Sequence, residues 1–171
     1  MKSIVIYFSK SGENSVNGDI KFLEVGNTEI LAKKIAKLTK SHIFKLEPKT
    51  PYPNNYEDCC KIVKLENSDV EYLNADFKID EYDTVFLGFP IWYRTYPHIV
   101  GTFLGKNKWL GKDVIPFCTN EENSFGIAEI NLASTLFGAN LKPGFAVRGY
   151  DVENCDKQLE EYLKKVGCLN D

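Results

Sequence analysis

Two short apolar runs constrain the fold of this chain most, because neither leaves a polar face for water. Residues 4–8 read Ile-Val-Ile-Tyr-Phe, and residues 85–87 read Val-Phe-Leu. Such runs are typical of strands that are covered on both faces, as in a parallel sheet. Three further segments are also interpreted as buried strands, which gives five predicted strands over residues 4–8, 43–47, 84–88, 114–118 and 144–148.

The segments between these strands carry apolar residues at helical spacing. Within residues 27–40, for example, Leu31, Ile35 and Leu38 form one stripe. Alternating strands and helices predict right-handed crossovers and a parallel sheet with helices on its faces. A chain of 171 residues matches a single domain. Further helices are predicted over residues 55–66, 97–104, 126–137 and 155–166, and residues 13–25 are interpreted as a surface insertion.

Charge and composition exclude several classes of function. The chain has 21 Lys and Arg against 24 Asp and Glu, so it lacks the basic excess of a nucleic-acid binder. It has neither the run of about 18 apolar residues that membrane insertion requires nor a secretory signal, and we expect a cytoplasmic protein. The spacing of its five cysteines and two histidines does not match a zinc site. Reduced thiols are expected, with a redox pair at Cys59 and Cys60 as the alternative.

The loops at the carboxyl ends of the strands are the expected place for a ligand, because parallel α/β sheets bind ligands there. The loop after the first strand reads Ser9-Lys10-Ser11-Gly12, and Gly26-Asn27-Thr28 opens the following helix. Hydroxyl groups, glycines and free helix amides suit a phosphate dianion. The same residue types also cap helices without any ligand, so both interpretations stay open at this point.

Two more loops strengthen the case for a ligand. The third strand runs into Phe89-Pro90-Ile91-Trp92-Tyr93, which places large aromatic side chains in a loop. The fourth strand ends in a polar loop from Thr119 to Gly126. Together with the phosphate loop, these segments could hold a flat ring attached to a phosphate.

Four segments, in this order along the chain, resemble the flavodoxin family. They are Tyr-Phe-Ser-x-Ser-Gly from residue 7, Gly-Asn-Thr from residue 26, Leu-Gly-Phe-Pro-Ile-Trp-Tyr from residue 87 and Ile-Pro-Phe-Cys-Thr from residue 115. The resemblance implies a three-layer α/β sandwich with a five-stranded parallel sheet in the order 2-1-3-4-5, an order for which flavodoxin is itself the standard example. It also implies noncovalently bound FMN as the cofactor.

The resemblance assigns roles to individual residues. It implies that the phosphate is held by hydroxyl and amide groups of Ser9, Ser11, Asn27 and Thr28, with Lys10 and Gly12 in the same loop. Trp92 is the expected stacking partner of the flavin ring, since aromatic rings favour offset stacking. The other residues expected beside the ring are Pro90, Ile91, Tyr93, Thr119, Asn120, Glu121, Ser124 and Gly126.

Two features depart from the family pattern. Residues 13–25 interrupt the phosphate motif, and this insertion either folds away or covers the site. Glu121 and Glu122 stand in a loop that tends to be glycine-rich in related sequences. Carboxylates that face the ring would disfavour an anionic reduced flavin, whereas in solvent their effect would be screened.

No catalytic residues are predicted, because flavin itself would supply the redox chemistry. The favoured hypothesis is an FMN-binding electron carrier that exchanges electrons with redox partner proteins, as a monomer or weak dimer. The alternative is an FMN-dependent NAD(P)H reductase of quinones or other small acceptors. The second alternative is a flavin-free binding module on the same fold.

Overall fold

The computed structural model describes residues 1–170 and shows a sheet between two layers of helices. The strands are β1 (Ser3–Tyr7), β2 (Gly12–Val16), β3 (Asp19–Leu23), β4 (His42–Lys45), β5 (Thr84–Pro90), β6 (Asp113–Asn120), β7 (Asn140–Leu141) and β8 (Phe145–Arg148). The helices are α1 (Asn27–Thr39), α2 (Tyr56–Leu65), α3 (His98–Gly105), α4 (Ala128–Thr135) and α5 (Asp156–Lys165), and Gly149–Asn154 form a 3-10 helix before α5.

The main sheet is parallel throughout and has the order β4-β1-β5-β6-β7, with β8 also paired to β6. The predicted fold class is confirmed, and the order along the sheet follows the predicted 2-1-3-4-5. One detail was wrong, because two strands share the fifth position. β7 pairs with the start of β6 and β8 with its end. Pro143 lies between them, and proline has no amide to continue the ladder.

The central strands are buried on both faces, as their continuous apolar runs predicted. Ile4 and Ile6 of β1 face the core under α3 and α4, whereas Val5 and Tyr7 face the core under α1 and α5. All four side chains are almost completely buried. This alternation divides the apolar interior into two cores, one on each side of the sheet.

The insertion is a β-hairpin, where the sequence predicted only a surface segment. β2 and β3 pair antiparallel as a separate two-stranded sheet. Asn17 and Gly18 form the turn, and both have left-handed backbone angles, with φ of 56° and 81°. An Asn-Gly pair with two positive φ angles is typical of a two-residue hairpin turn, so this dipeptide was the signal that the sequence analysis missed.

We expect Leu87→Ala to lower the free energy of unfolding by about 2–5 kcal/mol, because truncating a buried leucine leaves a cavity. Leu87 is fully buried in β5, while Leu65 at the end of α2 is 79% exposed. Leu65→Ala is therefore the matched control, with an expected change of at most about 0.5 kcal/mol. Urea unfolding followed by circular dichroism measures both changes. Equal losses for the two variants would contradict the placement of Leu87.

Candidate functional site

A cavity of about 150 Å³ opens at the carboxyl ends of β1, β5 and β6, and we call it the main cavity. β4 and β5 flank β1 on opposite sides, so the order of the strands reverses beside it. Ligands of parallel α/β proteins bind at such a reversal. The lining residues are Ser9, Lys10, Asn14, Ser15, Asn27, Thr28, Tyr56, Pro90, Ile91, Trp92, Thr119, Asn120, Glu121 and Gly149.

One end of the main cavity is built by the first turn of α1. Gly26 precedes this helix, and a Cβ atom there would lie 2.2 Å from Ser9 Oγ and 2.6 Å from the Lys10 carbonyl oxygen. Only glycine therefore lets the helix start so close to the loop after β1. Gly26 has no side chain that could cap the helix. Ser9 Oγ instead accepts a hydrogen bond from the Glu29 amide at 3.0 Å. Free amides and the positive end of the helix dipole make this end suitable for an anion.

Thr28 ties this end of the cavity to the end of β6. Its side chain is 2% exposed, and its hydroxyl lies 2.8 Å from the hydroxyl of Thr119. One hydrogen satisfies this contact, so the pair keeps a second hydroxyl hydrogen for another acceptor. The contact joins residues that are far apart in sequence and sets the distance between α1 and the loop after β6.

The other end of the main cavity is aromatic and has a defined geometry. The indole of Trp92 packs edge-on against Phe8 and Tyr52, with ring centroids 5.2 Å apart in both pairs. Tyr93 and Arg94 then form a tight turn with positive φ angles of 48° and 73°. We call residues 92–95 the Trp92 turn, because Trp92 pairs with Thr95 across it. Left-handed backbone costs a non-glycine residue about 1–2 kcal/mol, and such strain is concentrated at functional sites.

A second cavity of about 170 Å³ adjoins the main cavity, and Lys10, Asn14, Tyr56, Ile91 and Trp92 line both. The second cavity lies between the β2–β3 hairpin, α2 and the Trp92 turn. Its remaining lining residues are Glu13, Cys59, Cys60, Val63 and Tyr93. An outer recess continues from the main cavity toward solvent and is lined by Ile91, Tyr93, Arg94, Asn120, Glu121, Glu122, Ser124 and Gly126.

The structure brings most of the predicted site residues together. Those that line the main cavity are Ser9, Lys10, Asn27, Thr28, Pro90, Ile91, Trp92, Thr119, Asn120 and Glu121. Tyr93 lines the second cavity and the outer recess, and Ser124 and Gly126 line the outer recess alone.

Two predicted phosphate-loop residues lie outside the main cavity. Ser11 lines an adjacent groove with Lys45 and Pro48, and this groove shares Ser9 and Lys10 with the main cavity. Gly12 has a φ of 83°, and a Cβ atom there would lie 2.9 Å from Asn54 Oδ1. The hairpin begins at Gly12, so the chain turns away from the cavity at this point. In place of these two residues, the structure brings four that the sequence analysis did not select, namely Asn14, Ser15, Tyr56 and Gly149.

The insertion covers the site and does not fold away from it, which were the two expected alternatives. The carboxylate of Glu121 accepts hydrogen bonds from the amides of Asn17 and Gly18, at 3.1 and 2.9 Å. Its charge is therefore directed to the hairpin turn. Lys10 also has partners within the protein, since its ammonium group donates to the carbonyl oxygens of Ser11 and Glu13 at 3.0 Å. Burial lowers the pKa of Lys10.

The five cysteines are free thiols in this structure. Cys59 is buried, and burial raises the pKa of its thiol to about 11. Among the described side chains, no three His, Cys, Asp or Glu residues lie together as a metal site would need. None of the helices formed by residues 1–170 has the length and apolar character that crossing a bilayer requires.

We expect iodoacetamide at pH 8 to label Cys60 well before Cys59, because the thiolate is the reacting form. With a pKa of about 11, about one Cys59 in a thousand is a thiolate at pH 8. Its labelling rate should rise about tenfold per pH unit up to about pH 11. Tandem mass spectrometry distinguishes the two cysteines, and the urea-unfolded protein is the control. Equal Cys59 labelling rates in folded and unfolded protein at pH 8 would contradict the burial effect.

Solved structures share this fold over nearly the whole chain. A candidate flavoprotein from Bacteroides eggerthii DSM 20697 is 24% identical, with a TM-score of 0.72 over 96% of this chain and 97% of that one. A flavoprotein from Lactobacillus acidophilus NCFM, solved in complex with FMN, is 18% identical, with a TM-score of 0.64 over 94% and 97% of the two chains. An apo NADH:FMN oxidoreductase is 15% identical, with a TM-score of 0.56 over 98% and 91%.

The sequence itself matches one protein family over most of its length. No curated protein matched the sequence in the comparison. The family whose description is Flavodoxin matches residues 2–166. The match includes the phosphate loop, the Trp92 turn and the loop after β6. The chain therefore belongs to the flavodoxin family, and the cofactor of that family is FMN.

Proposed function

We propose that this protein binds FMN noncovalently in the main cavity and carries electrons between redox partner proteins. FMN is larger than the main cavity alone and would extend into the adjoining outer recess, and the residues present fit the cofactor at both ends. The first turn of α1 and the hydroxyl of Ser9 suit the phosphate, and Gly26 lets these groups approach each other closely. Trp92, fixed by its two aromatic neighbours, suits the flat ring. Bound FMN would supply the redox chemistry, and the protein would supply binding, orientation and electrostatics.

The open outer recess is the observation that carries the proposal. It extends the ring end of the main cavity to the surface, where the side chain of Tyr93 is 55% exposed. A ring edge near this recess would be accessible to the surface of a partner protein. Electron transfer at such an edge requires that the partner protein approach the ring closely, and it requires no covalent bond between the two proteins.

The titratable groups of the main cavity also support a carrier. Lys10 donates to two backbone carbonyls, and Glu121 accepts from two backbone amides. Burial, followed by the nearby Cys60 thiol, raises the pKa of Tyr56. The charged side chains of Lys10 and Glu121 are therefore bonded to backbone groups of the protein, and an electron carrier requires no proton donor beside its cofactor.

The test is an FMN titration of the purified protein, followed by a potentiometric titration of the complex. We expect saturable quenching of flavin fluorescence at micromolar affinity or tighter. We then expect two separated one-electron steps and no steady oxidation of NADH or NADPH by the FMN-loaded protein. A folded protein that binds no FMN would contradict the proposal and favour the flavin-free binding module.

The second cavity favours a second candidate, an FMN-dependent NAD(P)H reductase of quinones or other small acceptors. Its walls include the side chains of Tyr56, Val63, Trp92 and Tyr93. The second cavity is about 170 Å³ and shares five lining residues with the main cavity, so a small flat acceptor placed there would lie beside the proposed flavin site.

Filling the second cavity distinguishes the two candidates. Val63→Trp adds a large side chain to its wall, whereas the neighbouring Ile62 is 45% exposed, so Ile62→Trp is the matched control. For a carrier, we expect both variants to bind FMN and to accept electrons from a reductase protein like the unmodified chain. If quinone-dependent NADH oxidation occurs and only Val63→Trp abolishes it, the reductase is favoured.

A further inference from the structure

The β2–β3 hairpin crosses from the phosphate loop to the loop after β6 and is held at its turn. Both carboxylate oxygens of Glu121 accept hydrogen bonds from backbone amides there, from Asn17 at 3.1 Å and from Gly18 at 2.9 Å. The guanidinium of Arg148 donates to Asn17 Oδ1 at 2.7 Å. We call the contact between Glu121 and the turn amides the clasp.

The base of the hairpin is held independently of the clasp. The Glu13 amide donates to the Asn54 carbonyl oxygen at 2.8 Å. The Glu13 carboxylate accepts from the Tyr56 amide at 2.8 Å, at the start of α2. The two ends are thus attached to different parts of the fold, and the residues between them lie against the main cavity.

Two hairpin residues, Asn14 and Ser15, line the main cavity, and they differ in whether their side chains have hydrogen-bond partners in the protein. The side-chain amide of Asn14 donates to the carbonyl oxygens of Lys10 and Gly12, at 3.1 and 3.0 Å. Within residues 1–170, the hydroxyl of Ser15 has no hydrogen-bond partner, although Ser15 lines the same cavity as Ser9, Asn27 and Thr28. A hydroxyl that lines a polar cavity and has no partner in the protein is available to donate to a ligand.

The position of Glu121 needs a physical reason, because a carboxylate in the wall of the cavity proposed for FMN would repel an anionic ligand. The two amide donors of the turn offset this charge and direct the carboxylate to the hairpin. An isolated two-stranded hairpin is marginally stable in water. Contacts at its turn therefore add to those at its base in keeping β2 over the cavity.

We propose that Ser15 is a further binding residue for the FMN phosphate and that Glu121 is the positioning residue that holds it there through the clasp. The inference rests on the proposed binding of FMN in the main cavity. Ser9 and the α1 amides approach the phosphate from the side of the sheet, and Ser15 approaches it from the hairpin. The insertion is in this sense part of the phosphate site.

Ser15→Ala tests the hydroxyl directly. We expect its affinity for FMN to fall about tenfold to a hundredfold, the effect of one hydrogen bond to a charged acceptor. Riboflavin has the same ring and no phosphate, so its affinity should not change. An unchanged FMN affinity, or an equal loss for riboflavin, would overturn the role of Ser15. Circular dichroism and urea unfolding verify that the variant is folded.

Glu121→Gln tests the clasp, with Glu122→Gln as the matched control. Glu122 is exposed, and its side chain makes no hydrogen bond within the described residues. For Glu121→Gln we expect FMN to dissociate about tenfold faster. Before FMN is added, the amides of Asn17 and Gly18 should also exchange hydrogen faster than in the unmodified protein. Glu122→Gln should change neither rate, and equal effects of the two variants would overturn the clasp.

The double variant shows whether Glu121 acts through Ser15. If it does, adding Glu121→Gln to Ser15→Ala should not lower the ratio of FMN to riboflavin affinity any further, because coupled residues are not additive. Additive losses would overturn the positioning role. The failure of this inference is distinguishable from failure of the proposed function. Absence of FMN binding by the unmodified protein overturns both, whereas normal FMN binding by the unmodified protein and by both variants overturns this inference alone.

Discussion

The burial of β1 and β5 on both faces is the constraint on which the rest of the structure depends. Neighbouring side chains of β1 lie in opposite cores, so helices must cover both sides of the sheet. Helices on both faces require crossover connections, and crossovers keep all the main-sheet strands parallel. Parallel strands bring their carboxyl ends to one edge. The phosphate loop, the Trp92 turn and the loop after β6 meet there because each follows a strand of this sheet.

Close approach is the second requirement of the site. Gly26 lets α1 begin against Ser9 and Lys10, and the contact between Thr28 and Thr119 joins that helix to β6. Gly149 also lies close to the start of α1, where a Cβ atom would lie 2.4 Å from the side-chain Nδ2 of Asn27. These contacts place helix amides and hydroxyl groups around a small polar space, which is what an anionic ligand requires.

Local patterns predicted the central part of the fold well, and their failures have physical causes. The apolar runs located β1 and β5 because burial on two faces leaves no polar alternation. The last predicted strand, residues 144–148, is present as β8, and the short β7 that precedes Pro143 was not predicted because it has only two residues. The hairpin was missed because β2 is mostly polar and β3 leaves its apolar Ile20 and Phe22 exposed, and its one clear local signal was the Asn17-Gly18 turn.

The sequence by itself determined the parallel α/β class, the polar loop after β1 and the aromatic turn at Trp92, because each depends on residues adjacent in the chain or repeated at a regular spacing. Only the tertiary structure decided that the insertion covers the site, that Ser11 lies outside it and that Ser15 lies in its wall. Glu121 and Gly18 are 103 residues apart. Contacts between such distant residues depend on how whole elements pack, which periodicity does not encode.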